Sequence, residues 1–133
     1  MEEKVFESSC ATMYYSQDKY LIKIVWHGAI STEEYKKPFF ALWEHAKMGM
    51  KVTRYLSDIR DQGIVSPENR KWFEKEMIPL AISYGLKRAA AISGSNAFKT
   101  YYINLILSSV NRFDLPFKVF NNEEKAIEFL MKE

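Results

Sequence analysis

The chain is poor in the residues that staple, ligate or anchor a protein. Cys10 is its single cysteine, so no intramolecular disulfide can form, and a reducing compartment fits. His27 and His45 are its only histidines, and with one thiol beside them they do not make a zinc set. No Gly-x-Ser-x-Gly elbow accompanies either one, so both read as core or surface side chains. No apolar run approaches the ~20 residues of a membrane span, which argues against membrane insertion. The opening Met1-Glu2-Glu3-Lys4 lacks the basic and apolar pattern of a signal peptide, so the expected location is the cytoplasm. Charge of one sign is also scarce. The net value is +2, from 19 basic and 17 acidic residues, too small a field to draw nucleic acid or an anionic membrane. Low-complexity tracts, linkers and internal repeats are absent.

What is present suits one soluble domain over residues 1–133. Hydrophobic residues are 47% of the chain and charged ones 27%, and a chain of this length buries enough surface to fold without a metal. Aromatics are high, at 15%. They fill a core with large rings, or some of them line a pocket or an interface, and composition alone does not separate the two.

Val5 to Tyr15 reads as one edge-like strand, and Ser16-Gln17-Asp18-Lys19 as a hairpin turn. Tyr20 to Trp26 is the strongest strand, nearly all apolar with Lys23 as its polar break. Ser31-Thr32-Glu33-Glu34 is a capping box. The helix after it places Tyr35, Phe39, Leu42, Trp43 and Ala46 on one stripe, with Pro38 either kinking it or marking a start near Lys37. Val52 to Ser57 is a second interior strand. A helix from about Pro67 to Tyr84 carries Phe73, Met77, Leu80 and Ala81 on one face, is bent by Pro79, and ends at Gly85. Ala89-Ala90-Ala91-Ile92 reads as a buried parallel strand whose small side chains let helices pack closely. Ala97 to about Asn111 is a third helix and Pro116 to Phe120 a last strand. Asn121 or Asn122 caps a final helix with Ala126, Ile127 and Leu130. The order is ββαβαβαβα: an N-terminal hairpin, a mainly parallel sheet and four helices, an α/β fold.

Tyr55 to Glu68 is the most informative stretch. It reads as a strand, an acidic loop with Asp58, Arg60 and Asp61, and a helix start with Ser66 as N-cap and Pro67 at the first helical position. Loops at the carboxyl ends of parallel strands are the usual binding sites of open α/β sheets. Asp58, Arg60 and Asp61 there hold a cation or a partner's basic group, or form a local Arg–Asp pair. Two carboxylates without a third ligand are a weak metal signal. Ser93-Gly94-Ser95-Asn96 lacks the lysine and the glycine spacing of a phosphate loop, and reads as a turn and cap.

Several of these pieces resemble the SpoIIAA-like family of STAS domains, the anti-anti-sigma-factor fold. They are Val25-Trp26-His27-Gly28 with Ser31-Thr32-Glu33-Glu34-Tyr35, Ser57-Asp58-Ile59-Arg60, and Val65-Ser66-Pro67-Glu68. Further on come Pro79-Leu80-Ala81, Gly85-Leu86-Lys87-Arg88-Ala89-Ala90 and Phe120-Asn121-Asn122-Glu123-Glu124-Lys125-Ala126. The resemblance runs from about Val5 to Met131. It implies a non-enzymatic regulatory module of the bacterial cytoplasm, engaging a protein partner. In anti-anti-sigma factors a serine at this helix start is phosphorylated, and Ser66 lies at about that place. The Asp-Ser-Ser-Gly pattern of that switch is replaced here by Val65-Ser66-Pro67. The broader group is also compared with lipid-binding domains of the CRAL-TRIO type.

The expectations are therefore a signalling or protein-interaction domain, with Ser66, Asp58, Arg60 and Asp61 as the regulatory, partner-binding residues. The alternative is a carrier of a small apolar ligand or lipid. Phe39, Phe40, Trp43, Tyr101 and Tyr102 would line its pocket, or form the seam of a homodimer. No catalytic residue, metal or cofactor is expected.

Overall fold

The computed structural model describes residues 2–94 and 113–132. Its sheet has six strands in sequential order. They are β1 (Glu2–Glu7), β2 (Ala11–Ser16), β3 (Leu21–Gly28), β4 (Arg54–Gln62), β5 (Arg88–Ile92) and β6 (Phe117–Phe120). β1, β2 and β3 form an antiparallel meander, and β3 to β6 run parallel. The mainly parallel α/β sheet with an antiparallel start is the architecture expected from the sequence.

The start differs in one respect. The segment read as one strand is two, β1 and β2, joined by a turn. Ser8 N donates to the Ala11 carbonyl at 2.8 Å, and the Ser8 hydroxyl accepts from Cys10 N at 3.4 Å. A serine that satisfies nearby backbone groups itself offers the chain an alternative to the ladder.

Helix α1 (Thr32–Lys47) begins as its capping box predicts, with the Ser31 hydroxyl accepting from Glu34 N at 3.2 Å. It runs through Pro38 without a restart near Lys37. Proline cannot donate to the carbonyl four residues back, which is Glu34. The buried Cys10 thiol approaches that carbonyl instead, at 3.8 Å.

The second long helix is continuous but changes pitch. α2 (Pro67–Trp72) passes into a π-helical turn (Phe73–Met77) and then α3 (Ile78–Ser83). Where the sequence predicts a bend at Pro79, the structure has a π-helical turn just before it. Without a Pro79 N–H one carbonyl loses its donor, and Ile78 N bonds Phe73 O, five residues back. The wide turn points both Phe73 and Met77 at the sheet side of the helix. The expected helix from Ala97 to Asn111 lies outside the described residues. The final helix, α4 (Glu123–Leu130), is capped by Asn122, whose side chain accepts from Lys125 N at 2.9 Å.

Strand alternation sorts the core into two faces. Leu21, Leu56, Ala90 and Ile92 pack under Ala126, Phe129 and Leu130 of α4. Ile22, Ile24, Trp26, Ile59 and Ala91 pack under Tyr35 and Phe39 of α1 and Met77 of the π turn. Among the described residues no helix is long and apolar enough to cross a membrane.

Candidate functional site

Among the described residues, the face under α1, the π turn and α3 is not filled. Between helices and sheet lies an apolar cavity of about 90 Å³. Leu42, Trp43 and Ala46 of α1 form one wall, and Ile78, Leu80 and Ala81 of α3 another. Its floor is the sheet, through Tyr55, Ala89 and Phe117. The alanine strand was expected to admit helices closely. It leaves volume instead, since Ala89 projects into this space with a single methyl group. Along one side, Trp43 Nε1 donates to the Tyr84 hydroxyl at 3.4 Å, tying α1 to the residue after α3.

A second chamber of about 50 Å³ adjoins the first and shares Phe39, Tyr55, Phe73 and Phe117 with it. This inner chamber is more polar. Ser57 and Gln62 line it, together with Trp26, Tyr35 and Ala91. Trp26 Nε1 donates to the Ser57 hydroxyl at 3.2 Å. Burial pushes the Tyr55 phenol up to about 12, against opposing hydrogen bonds from Ser57 and Trp26. An aromatic ladder borders both chambers through Phe39 and Phe73. Trp26 stacks on Tyr35 at 5.2 Å, and Phe39 meets Trp26 at 5.7 Å, Trp72 at 5.8 Å and Phe73 at 5.2 Å. Among the described residues, no Lys, Arg, His, Asp or Glu lines either chamber.

The residues expected in an acidic loop are in a strand. β4 runs on to Gln62, its ladder to β3 continuing as His27↔Asp61 and Gly28↔Gln62 after a bulge. The bulge absorbs an extra residue, which places Arg60 and Asp61 together on the outside and returns Gln62 to the interior. Gly63 closes the segment. Its N–H donates to the Gly28 carbonyl at 2.9 Å, and a Cβ there would stand 2.6 Å from that same oxygen.

The structure brings Asp58 and Arg60 together. Asp58 is only 6% exposed, and Arg60 Nη2 and Nε donate to its two carboxylate oxygens at 2.7 and 3.0 Å. Burial opposes the Asp58 charge, but the Arg60 side-chain and backbone hydrogen bonds outweigh it and hold the carboxyl below its usual range. Asp58 shares a strand face with Leu56, the face that α4 covers. Nearby on that face, Lys23 bridges Glu2 at 2.8 Å and Glu123 at 3.3 Å, tying β1 to α4. A depressed carboxyl stabilises the fold above its unfolded pKa, and that stabilisation is lost as pH falls through the folded value. Asp58→Asn is therefore expected to cost about 1–2 kcal/mol at pH 7. The gap from the parent should shrink on acidification below about pH 4, as read by urea denaturation across pH.

Ser66 caps α2 as the sequence predicts, its half-buried hydroxyl accepting from Asn69 N at 3.1 Å. It starts the helix layer on the face opposite Asp58. Phe39 and Trp43 line the cavity, whereas Phe40 is 45% exposed and sets its ring edge-on to Trp72 at 5.6 Å. Tyr101 and Tyr102 lie outside the described residues, as do Ser95 and Asn96 of the expected turn. Sequence reasoning missed Ser57 and Gln62. The available signal was alternation, since Tyr55, Ser57 and Ile59 follow one another at every second position.

The chain is similar to a solved structure, an uncharacterised protein of the DUF3478 family with a SpoIIAA-like fold from Shewanella loihica PV-4. The two are 21% identical, the match covers 94% of this chain and 98% of that one, and the TM-score is 0.57. No protein-family model matches the chain, and no curated protein matches it. The fold that the sequence resemblance implied is the fold of this chain.

Proposed function

We propose that this SpoIIAA-like domain is a non-enzymatic binding module that takes a small apolar molecule between its helices and its sheet. The cavity carries the reading. An apolar void in a protein interior forfeits dispersion contacts along its lining, so a fitting apolar molecule regains them. An engineered apolar cavity of about 150 Å³ suffices to bind benzene, and the two chambers together are of that order. Toluene is the expected first probe. A thermal-shift titration should raise the melting temperature with toluene concentration, because a ligand of the folded state alone stabilises it by mass action. A melting temperature unmoved up to the solubility limit would count against the reading.

A second reading is a protein-docking rim, favoured by Ile64, which is 71% exposed in the loop between Gln62 and Ser66. Phosphorylation of Ser66 would add about −1.5 to −2 charges there. This reading expects Ser66→Asp to change complex formation while Ser66→Ala keeps the parent's behaviour. Identical capture by all three proteins would end it.

A further inference from the structure

We propose that helix α3 is a lid over the outer chamber, hinged at the π turn and latched to α1 by the hydrogen bond between Trp43 and Tyr84. The inference rests on the ligand-binding reading above and adds the route by which a ligand enters that site.

Tyr84, the C-cap of α3, lines the chamber and is 45% exposed, so the chamber reaches the surface at this end of the helix. Leu80 and Ala81, on the same wall, are half-buried. The other end is held more firmly. Met77 and Ile78 are buried, and Ile78 packs with Ala89 and Leu115. α3 is thus anchored where it leaves the π turn and less enclosed towards Tyr84. A segment with such a gradient of burial opens from its less buried end.

Each end of α3 carries a joint. In the π turn (Phe73–Met77) the regular ladder gives way to the bond from Ile78 N to Phe73 O, and Pro79 has no N–H to restore it. A change of helix angle is taken up most easily at such a break in pitch. Beyond Tyr84, Gly85 stands at φ 110°, and glycine absorbs backbone rotation at little steric cost. Between the joints, Leu80, Ala81 and Tyr84 move as one short unit, with Tyr84 N bonded to the Leu80 carbonyl at 3.1 Å.

The latch is braced on one side and easily parted on the other. Trp43 Nε1 donates to the Tyr84 hydroxyl at 3.4 Å, longer than a well-formed bond. The pair is exposed, so opening exchanges this bond for bonds to water at small net cost. On the α1 side the indole is held in place. Lys47 Nζ lies 4.5 Å from its ring centroid, and Glu44 pairs with Lys47 at 2.8 Å. Parting the latch leaves Trp43 on α1 and releases α3.

The test is NMR on the isotopically labelled full chain with toluene as the probe. It compares the parent with Tyr84→Phe, which keeps the ring and removes the hydroxyl. Entry and exit rates of toluene are both expected to rise about fivefold in the variant, the worth of one hydrogen bond. In the ligand-free parent, relaxation dispersion on the microsecond-to-millisecond scale is expected at the amides of residues 80–85, and not at those of residues 39–46 on α1. This second readout serves if Tyr84→Phe fails to fold. Toluene entering both proteins at the same rate overturns the lid while the ligand-binding reading stands, as does a flat dispersion profile over residues 80–85. A change in the exit rate alone gives Tyr84 a lining role and overturns the lid as well. No toluene binding by the parent overturns both.

Discussion

Ala89→Leu is expected to remove toluene binding while leaving the fold as stable as the parent, or more so. Ala89 is buried on β5 and faces the outer chamber. The substitution extends its side chain by an isopropyl group into space that Tyr55, Ile78 and Phe117 already enclose. Each methylene buried in such space contributes about 0.8 kcal/mol, so the filled chamber competes directly with the ligand. Toluene affinity should fall at least about tenfold, or ~1.4 kcal/mol. The neighbouring position supplies the control. Ala90 points to the other face, where it lies fully buried in the cluster with Ala126. Ala90→Leu therefore overpacks a closed layer and should destabilise by about 1–3 kcal/mol. Calorimetric titration and urea denaturation of the pair check both halves. If Ala89→Leu kept the parent's toluene affinity, the outer chamber would not be the binding site.

Phe39→Ala is expected to destabilise the domain by about 3–5 kcal/mol, a large share of the roughly 5–15 kcal/mol that holds a small domain together. Phe39 is buried at the centre of the ring ladder and borders both chambers. Truncation removes its contacts with Trp26, Tyr35, Trp72 and Phe73 and widens the space that Phe39 borders. The enlarged cavity should then take toluene more readily than the parent does. At a hundredfold excess over Kd, a ligand of the folded state returns about 2.7 kcal/mol. The melting temperature of Phe39→Ala should accordingly rise more steeply with toluene than that of the parent. Equal slopes would mean that toluene acts elsewhere.

The elements whose local chemistry is self-contained were legible in the sequence. Ser31, Ser66 and Asn122 cap the helices that their residue types announce, since a cap depends only on its own first turn. Gly49 and Gly85 end helices at positive φ, where a side chain would be strained. The parallel sheet followed from alternating element types. What depends on a partner strand was not legible. Nothing in Asp58 to Gln62 shows that β3 extends far enough to pair with it, or that a bulge sets Arg60 and Asp61 side by side outside. The turn at Ser8 to Cys10 is a competition between a ladder and serine hydroxyls, and composition does not decide it.

The cavity was out of reach for a different reason. Emptiness is a relation among volumes contributed by α1, the π turn, α3 and the sheet. The stripe with Phe39 and Trp43 was visible, and so was the alanine strand. Only their distance in space shows that the alanines leave room rather than close it. The π turn belongs to the same class. Pro79 signalled a bend, but the direction in which Phe73 and Met77 turned depended on the register that the freed carbonyl adopted.

The most direct test of the central claim is an isotope-filtered NMR experiment on the full chain with toluene near saturation. Intermolecular NOEs are expected from the toluene ring to the methyl groups of Ala89, Ile78 and Leu42, which surround the outer chamber. NOEs confined to exposed apolar side chains such as Met48 and Ile64 would contradict the account, and so would their absence at a concentration that saturates the thermal shift.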